Sequence, residues 1–452
     1  MADTIAAIAT GTQISAIGII RLSGDETFRV IDRLFFPYSG KKMSESADRR
    51  LIFGELCDRG GELLDVCLCT ISRAPHSYTG ENTAELQCHG SPTVLRAALD
   101  ELFALGARQA APGEFTKRAF LNGRMELCAA EAVADIIDAE TVECAKNAAG
   151  QLSGAISRKV DGIYSALTDI SSHYHAVLDY PDEDIEDFQL ESYEGSLTSA
   201  LTELERLLQS HERGKLMTGG IPAAIAGRPN AGKSSLLNAL LGYDRAIVTA
   251  IPGTTRDTIE EKLRIGRLTL RLIDTAGIRD TDDEVERLGV ERSRAAMSKA
   301  ELVIAVVDGS GGITDEDREV IAQAEAAPKG IVVLSKRDIA EPDAEITTAL
   351  PVVSLSSVTG DGMDELERVI AEQFPLPEVP AGEILTNVRQ ADAVKRAIEY
   401  MRSALDAMRA GMTPDIVLTE TEGAMSALGE LSGRTVREDV TNRIFQRFCV
   451  GK

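Results

Sequence analysis

Residues 227–234 read Gly227-Arg-Pro-Asn-Ala-Gly-Lys-Ser234 and match the pattern G-x-x-x-x-G-K-[ST]. The apolar run Ile221 to Ala226 precedes them and the helical pattern Leu236 to Leu241 follows, which is the strand, loop and helix context that a phosphate-binding loop requires. In such a loop, glycines let backbone N–H groups surround phosphates, the lysine reaches the β and γ oxygens, and the final hydroxyl binds Mg²⁺. The stretch therefore predicts a nucleotide-binding α/β domain.

Apolar runs that alternate with helical patterns continue beyond this loop. The alternation predicts a parallel sheet covered by helices, in a domain that we place at residues 216–376. This domain starts near Gly219-Gly220 and ends at the proline-rich joint Phe374-Pro-Leu-Pro-Glu-Val-Pro380. The predicted strands are Ile221 to Ala226, Leu268 to Ile273, Leu302 to Val307, Ile331 to Leu334 and Val352 to Leu355.

Three further motifs follow predicted strands in order. Asp274-Thr-Ala-Gly277 places a carboxylate within reach of the same Mg²⁺ and a glycine N–H near the γ-phosphate. In Ser335-Lys-Arg-Asp338, the carboxylate of Asp338 can accept hydrogen bonds from the N1–H and the 2-amino group of guanine, a donor pair that adenine lacks. Leu355-Ser-Ser-Val358 can offer backbone donors to the guanine carbonyl. Each motif alone is a common turn, but four motifs in this order predict GTP binding.

The rest of the chain divides into an N-terminal α+β region and a helical region in two pieces. Residues 1–118 mix short β-rich runs with helical patterns. Residues 119–215 and 377–452 carry 3.6-residue periodicities, such as Ala129 to Asp138 and Val388 to Phe448. We therefore predict a multidomain α/β and α+β protein in which the nucleotide-binding domain is inserted into a discontinuous helical domain.

Composition restricts the classes of function. Lys and Arg number 48 against 72 Asp and Glu, and the resulting charge of −24 disfavours broad electrostatic contact with nucleic acid by this chain alone. The 7 cysteines form no C-x-x-C pair, so neither a disulfide framework nor a zinc site is predicted. The absence of a leader pattern and of a run of about 18 apolar residues favours a cytoplasmic protein without membrane attachment.

Together, the motifs resemble the MnmE (TrmE) family of tRNA-modifying GTPases over essentially the whole chain. The resemblance rests on the phosphate loop, on Ala246-Ile-Val-Thr-Ala-Ile-Pro-Gly-Thr-Thr-Arg-Asp257, on the segments 274–279 and 283–289, and on Phe448-Cys-Val-Gly-Lys452. It implies an N-terminal α+β domain that binds tetrahydrofolate and dimerises, and a Ras-like P-loop GTPase domain. The implied GTP-binding residues are Asn230, Ala231, Gly232, Lys233, Ser234, Ser235, Thr249, Ala250, Ile251, Pro252, Gly253, Thr254, Thr255, Asp274, Thr275, Ala276, Gly277, Ser335, Lys336, Asp338, Ser356 and Ser357.

Hydrolysis cannot use the glutamine that many GTPases carry after the Asp-x-x-Gly motif, because Ile278 stands there. The resemblance implies that K⁺ supplies positive charge in place of an arginine finger when two GTPase domains meet. Ser234 and Thr255 would bind Mg²⁺, and Glu286 would orient the attacking water. Taken alone, Glu286 would pass for a solvated helix start. The implied K⁺ ligands are Asn230, Thr249, Ile251 and Thr254.

Ser335 departs from the family, which usually has asparagine at this position. An asparagine amide can bridge the guanine and the phosphate loop, whereas a serine hydroxyl reaches less far. We therefore expect weaker guanine affinity than in a typical relative, with specificity retained through Asp338.

The N-terminal region resembles the family's tetrahydrofolate-binding domain through the segments 18–24, 78–87 and 112–124. By matching positions, the resemblance implies a folate site lined by Arg21, Glu85, Arg124 and Lys452. Glu85 suits a pterin, whose edge offers a ring N–H beside an amino group, and the cations suit the glutamyl carboxylates. Arg124 stands where the family commonly has lysine, and Thr10-Gly-Thr-Gln13 replaces the usual Pro-Pro-Gly. Without the family, Arg21 and Glu85 would be ordinary charges on a strand surface.

Cys449 has two interpretations. Cysteine is a frequently buried residue type, which favours a core thiol at a helix end. The resemblance instead implies that residues 448–452 reach the folate site and that Cys449 takes part in the modification chemistry, as a nucleophile. His173 and His175 would face apart on a helix, so no metal pair is expected there.

The resemblance implies a K⁺-stimulated GTPase that uses Mg²⁺ and a 5-formyl- or methylene-tetrahydrofolate donor. With an FAD-dependent partner of the MnmG (GidA) type, it would add a (carboxymethyl)aminomethyl group to C5 of the wobble uridine of certain tRNAs, while its GTP/GDP cycle opens and closes a homodimer. Two alternatives remain open. One is a ribosome-assembly GTPase of the Era or Der kind, although no basic RNA-binding appendage is visible, and the other is a nucleotide-dependent scaffold.

Overall fold

The structure is a computed structural model of the 452-residue chain. It describes residues 3–11, 13–180, 190–243, 261–273, 297–339, 346–375, 380–436, 438–446 and 448–451. Among these residues, no helix has the length and the apolar character that crossing a bilayer would need.

The strands of the described residues form two sheets. The strands are β1 (Ile5–Ile8), β2 (Ile17–Ser23), β3 (Phe35–Pro37), β4 (Ile52–Cys57), β5 (Leu63–Ser72), β6 (Thr83–His89), β7 (Arg108–Gln109), β8 (Ile221–Ala226), β9 (Glu261–Ile265), β10 (Leu268–Leu272), β11 (Leu302–Asp308), β12 (Lys329–Ser335) and β13 (Val352–Ser354). The helices are α1 (Thr27–Leu34), α2 (Pro92–Ala104), α3 (Glu114–Leu121), α4 (Leu127–Ile137), α5 (Val142–Leu152), α6 (Ala155–Asp179), α7 (Leu190–Gly219), α8 (Lys233–Tyr243), α9 (Asp315–Glu325), α10 (Met363–Gln373), α11 (Val388–Arg409), α12 (Pro414–Ser432) and α13 (Glu438–Phe445).

The N-terminal sheet has the strand order β3-β4-β5-β6-β2-β1-β7. Its neighbouring strands pair antiparallel, apart from β1 and β7, which are parallel. Burial alternates along β6, because successive side chains of a strand point to opposite faces. The inward residues Ile20 and Leu86 pack with Ile31 of α1 and Leu95 of α2, so the two helices cover one face of the sheet. This arrangement confirms the predicted α+β fold of the region.

The second sheet has the order β13-β12-β11-β8-β10-β9, and all neighbours are parallel except the β9–β10 pair. Apolar side chains fill both faces, with Ile225 and Ile304 in one core and Ala224 and Val303 in the other. Strands buried on both faces read as continuous apolar runs, as β11 and β12 do, and all five parallel strands were predicted from the sequence. Since the carboxyl ends of parallel strands share one edge, the loops after β8, β11, β12 and β13 meet there.

The helical periodicity predicted from Val388 to Phe448 is one region in sequence but three helices in the structure. Gly411, with φ of +64°, follows α11, and Pro414 occupies the first turn of α12. Gly433, with φ of +90°, ends α12 in the left-handed conformation that favours glycine. α12 packs along α6, whose buried residues recur at helical spacing as Ile156, Val160, Ile163, Leu167 and Ile170.

The chain forms two compact units by its internal contacts. The first contains residues 1–134, 151–201 and 396–452, and the second contains residues 135–150 and 202–395. The first sheet lies in the first unit, and the second sheet lies in the second unit. The predicted domain boundaries at 118, 215 and 376 are not tested by this division and stay predictions.

Candidate functional site

The phosphate loop joins the end of β8 to the start of α8. Gly227 approaches β11 so closely that a Cβ atom there would lie 2.4 Å from the carbonyl oxygen of Val306. Gly232 has φ of +100° and Asn230 has φ of +61°, so two residues of the loop adopt left-handed conformations. The two glycines of the motif are therefore required by the path of the backbone.

Lys233 is the first residue of α8, and its ammonium group folds back over the loop. Its Nζ donates hydrogen bonds to the carbonyl oxygens of Gly227 at 2.7 Å and Arg228 at 2.9 Å. Burial lowers the pKa of Lys233 below its ordinary value, because the charged form loses hydration. Both of these acceptors are neutral carbonyls, so a phosphate would be a better partner for this cation than the groups that now bind it.

The exposed polar groups of this region lie around the amino end of α8. Ser234 and Ser235 are exposed in its first turn, and the side chain of Asn230 is exposed in the loop. A helix amino terminus favours anions through its N–H groups and its dipole. Hydroxyl and amide oxygens suit hard cations, so the position of these residues is compatible with the predicted Mg²⁺ and K⁺ roles.

The guanine motif lies at the same edge, after β12. Ser335 is buried, and its Oγ lies 2.6 Å from the carbonyl oxygen of Ala231 and 3.1 Å from that of Val307. The hydroxyl therefore does reach the phosphate loop, contrary to the shorter reach expected for serine. However, a hydroxyl has one proton to donate, and these carbonyls engage it within the protein.

Asp338 is exposed, and its carboxylate is oriented by the segment after β13. Its Oδ1 accepts a hydrogen bond from the Ser356 hydroxyl at 2.6 Å. Ser356 is itself buried, and its Oγ also accepts from the backbone N–H groups of Val358 and Thr359, each at 3.2 Å. Ser357 follows and is partly buried. Three of the sequence-predicted groups, the phosphate loop, Ser335 to Asp338 and Ser356, are thus brought to one edge of the sheet.

The other predicted nucleotide and cation residues lie outside the residues that the structure describes. Their roles, including the K⁺ loop and the water-orienting glutamate, stay predictions. They are Thr249, Ala250, Ile251, Pro252, Gly253, Thr254, Thr255, Asp274, Thr275, Ala276, Gly277 and Glu286.

The N-terminal site centres on Arg21 of β2 and Glu85 of β6. The two residues are direct partners in the strand register, and Arg21 Nε donates to Glu85 Oε1 at 2.8 Å. The guanidinium lies over the ring of Tyr78 at 5.5 Å and over that of Phe115 at 5.8 Å. The side chains of Arg21 and Glu85 remain 20% and 29% exposed, so a ligand can reach both.

Arg124 and the C-terminal segment lie against neighbouring parts of the same unit. Arg124 is exposed, and its Cγ lies beside Gly80, two residues after Tyr78. Gly113 N–H donates to the carbonyl oxygen of Cys449 at 3.3 Å, and Gly451 packs against the end of β1. β1 pairs with β2, the strand that carries Arg21, so the segment 448–451 lies next to the strand pair of the predicted site. Lys452 lies outside the described residues.

Sequence reasoning did not single out three residues that shape this site. Nothing in the sequence marks Tyr78 and Phe115 as neighbours of Arg21, yet the Arg21 guanidinium lies over both rings. The buried Arg118 donates to Glu81 Oε2 at 3.0 Å and to Glu114 Oε1 at 2.9 Å, which ties α3 to the loop before β6. The available signal was that all three lie inside the two family-like segments, 78–87 and 112–124.

The cysteines divide into six buried thiols and one exposed thiol. Burial raises the pKa of Cys69 well above its ordinary value, as expected for an inert core thiol. Cys449 is the exposed one, so the interpretation as a core thiol is wrong. The His175 Nε2 atom lies 3.0 Å from Glu422 Oε1.

The phosphate loop follows β8, and the Asp338 carboxylate, which the buried Ser356 orients, lies at the neighbouring strand ends. Together, these two features define the class of P-loop GTPases. The comparisons with known proteins then give the family. The family described as "MnmE helical domain" matches residues 127–449, and the one described as "GTP-binding protein TrmE N-terminus" matches residues 4–124.

Relatives match over the full length of the chain. The tRNA modification GTPase MnmE of Symbiobacterium thermophilum is 41% identical over 459 residues, covering 100% of this chain and 99% of that protein. The MnmE of Roseiflexus sp. is 42% identical over 464 residues, with the same coverage. Among solved structures, the G domain of the T. maritima FeoB iron transporter is 30% identical, covers 34% of this chain and 98% of that one, and has a TM-score of 0.26. The sequence matches to the relatives establish that the chain belongs to the MnmE (TrmE) family of tRNA modification GTPases.

Proposed function

We propose that this GTPase is stimulated by K⁺ and helps to add a (carboxymethyl)aminomethyl group to C5 of the wobble uridine of certain tRNAs. The nucleotide part of the proposal rests on two side chains at the same sheet edge. Lys233 is bonded only to neutral loop carbonyls in the contacts described above, and the Asp338 carboxylate is oriented by Ser356. These groups suit the two ends of one ligand, the phosphates and the guanine of GTP. Family membership supports the tRNA part.

For hydrolysis, two GTPase domains of a homodimer would meet around GTP, and Glu286 would orient the attacking water. Ile278 carries no group for that task. Bound beside the phosphates, the cations would supply positive charge to the oxygens on which negative charge develops. The residues that would hold Mg²⁺ are Ser234 and Thr255, and those for K⁺ are Asn230, Thr249, Ile251 and Thr254.

For the carbon chemistry, the N-terminal site would bind 5-formyl- or methylene-tetrahydrofolate, which supplies the one-carbon unit. Glu85 would accept hydrogen bonds from the ring N–H and the amino group of the pterin. Arg21 is already bonded to Glu85, so the two side chains would act together on the ligand. Arg124 and Lys452 would interact with the glutamyl carboxylates.

Cys449 would take part in the modification as a nucleophile, which its exposure supports. An FAD-dependent partner of the MnmG (GidA) type would complete the enzyme in the cytoplasm. The net charge of −24 supports a division of labour in which that partner makes most tRNA contacts.

The nucleotide proposal is tested by GTP turnover in K⁺ and Na⁺ buffers of equal ionic strength. We expect turnover to be at least about tenfold faster in K⁺, because the cation replaces a catalytic positive charge. Glu286→Ala should keep GDP affinity and slow turnover by about 100-fold. Equal rates in the two buffers would remove K⁺ from the mechanism, and full K⁺-stimulated turnover in the variant would remove Glu286.

The tRNA proposal is tested by mass spectrometry of tRNA nucleosides from a strain that lacks the gene. Complementation with the wild-type gene should restore the modified wobble uridine, and Cys449→Ser should not. A ribosome-assembly GTPase or a scaffold predicts unchanged wobble uridine in the deletion strain, which would overturn the proposal.

A further inference from the structure

Asp308 ends β11, the strand between the phosphate-loop strand β8 and the guanine-motif strand β12. In the register of β11 and β12, it lies directly opposite Ser335. Its side chain is only 13% exposed. Asp308 therefore occupies the point where the two halves of the nucleotide site meet, although no motif in the sequence marks it.

The carboxylate of Asp308 is engaged on both oxygens. Oδ2 accepts a hydrogen bond from Lys336 Nζ at 2.6 Å, and Arg228 Nη2 lies 3.8 Å from the same oxygen. Oδ1 accepts from the backbone N–H of Ser310 at 3.0 Å and from its hydroxyl at 2.6 Å. The carboxylate thus binds a cation of the guanine motif and lies near a cation of the phosphate loop, and Ser310 bonds help to orient the carboxylate.

Arg228 is anchored on its other side. Its Nε donates to Asp317 Oδ1 at 3.2 Å, and Asp317 is almost fully buried at the start of α9. There, Thr314 and Asp317 form a capping box, in which each side chain bonds to the backbone of the other residue. The phosphate loop is therefore tied to a rigid helix end, and the Asp308 carboxylate lies between that anchor and Lys336.

Lys336 needs such a partner more than an ordinary lysine does. Its backbone has φ of +63°, a left-handed conformation that is unfavourable for a non-glycine residue. A free lysine side chain also has considerable rotamer entropy, which it loses when it becomes ordered. Burial acts to raise the pKa of Asp308, but hydrogen bonds from Lys336 and Ser310 outweigh it and lower the pKa to about 2, so the partner stays charged at neutral pH.

We propose that Asp308 is a positioning residue for guanine nucleotides, which acts by fixing Lys336 rather than by touching the ligand. The proposal rests on the guanine site described under the proposed function. With the ammonium held at the end of β11, the methylene stem of Lys336 is held beside the base site flanked by Ser335 and Asp338. Without Asp308, Lys336 must be ordered at the cost of binding energy each time a nucleotide binds.

The test is equilibrium binding and steady-state kinetics of Asp308→Ala in the full-length protein. We expect GTP and GDP affinity to fall about tenfold, with kcat at saturating GTP within about twofold of wild type, because the lost contact orders the site and does not act on the reacting atoms. Asp308→Asn, whose amide oxygen can still accept from Lys336, should recover part of the affinity. The matched control is Ser310→Ala, which removes the hydroxyl from Oδ1 but keeps the backbone N–H of Ser310 on that oxygen and Lys336 on Oδ2, so affinity should change by less than about threefold.

A double-mutant cycle separates positioning from a merely structural role. If Asp308 acts through Lys336, then Asp308→Ala combined with Lys336→Ala should bind GTP no more than about twofold more weakly than Lys336→Ala alone. Additive losses, or an Asp308→Ala variant with wild-type affinity, would overturn the inference. If wild type selects GTP over ATP while Asp308→Ala is unchanged, this inference alone fails; if wild type does not select GTP, the proposed guanine site itself fails.

Discussion

The nucleotide site of the second unit and the proposed folate site of the first unit arrange their charges in opposite ways. At the nucleotide site, the phosphate-loop cation Lys233 rests on two neutral carbonyls of its own loop. At the N-terminal site, the cation Arg21 is paired directly with the carboxylate of Glu85. At the nucleotide site, no carboxylate neutralises the lysine in these contacts, so an anionic ligand would be a favourable partner. At the N-terminal site, the arginine is already neutralised by the glutamate, so a ligand would have to bind both side chains or displace one of them.

The two sites also differ in what holds them. The phosphate loop is shaped by backbone constraints, namely the close approach of Gly227 to β11 and the positive φ at Gly232. The Arg21–Glu85 pair is held by strand register and by the rings of Tyr78 and Phe115. A site built from one loop is therefore sensitive to substitutions within a short stretch of sequence. A site built by strand register is sensitive to substitutions in several segments that are distant in the chain.

The largest effect is expected for Lys233→Ala. Because it removes the cation that lies over the phosphate loop, GTP affinity should fall by about 100-fold or more in a titration with labelled nucleotide. The control is Lys215→Ala, which removes an exposed lysine paired with Glu212 at 2.8 Å and should leave affinity unchanged. If Lys233→Ala bound GTP with wild-type affinity, the loop would not be the phosphate site and the contrast between the two sites would be wrong.

A similarly large change in specificity is expected for Asp338→Asn. The asparagine amide can donate to the 2-carbonyl of xanthine but cannot accept both guanine donors, so the preference for GTP over xanthosine triphosphate should shift by about 100-fold. Competition binding with the two nucleotides measures this shift. Asp361→Asn, which changes an exposed carboxylate in the loop after β13, should leave the preference unchanged. An Asp338→Asn variant that still prefers GTP contradicts the role of Asp338.

A smaller effect is expected for Glu85→Gln at the N-terminal site. Loss of the charged acceptor should weaken tetrahydrofolate binding about tenfold, as measured by calorimetry, and should leave GTP binding intact. Glu101→Gln is the matched control, because Glu101 also pairs with an arginine of the same unit, Arg59, at 2.7 Å. If the two variants bound folate equally well, Glu85 would be an ordinary charge on a strand surface, which is the interpretation that the sequence favours without the family resemblance.

The smallest effect is expected for Ser335→Asn. The serine hydroxyl spends its proton on protein carbonyls, so an amide with two donors should add a guanine contact and tighten GTP binding about threefold. Binding equal to or weaker than wild type would show that the hydroxyl does not limit affinity. Ser335→Ala, which removes the contact to Ala231, separates loss of the loop contact from gain of the base contact.

The sequence predicted the parallel strands of the second sheet closely but missed several other strands. Ile221–Ala226 agrees at both ends, and β12 extends the predicted Ile331 to Leu334 by two residues at its start. β1, β3, β4, β7 and β9 were not predicted, and three of them, β3, β7 and β9, lie at sheet edges. Edge strands are short and pair on one side only, so they carry neither a continuous apolar run nor a long alternation.

By itself, the sequence determined the nucleotide chemistry of this protein: the loop, its lysine and the order of the guanine motifs are local patterns, and backbone-shaped loops are encoded in a few consecutive residues. Only the tertiary structure decided which side chains meet across the sheets. It placed Tyr78 and Phe115 under Arg21, set the reach of Ser335 to the phosphate loop, and brought Asp308 to Lys336. These pairings depend on strand register and on residues that are distant in the chain, which no local pattern records.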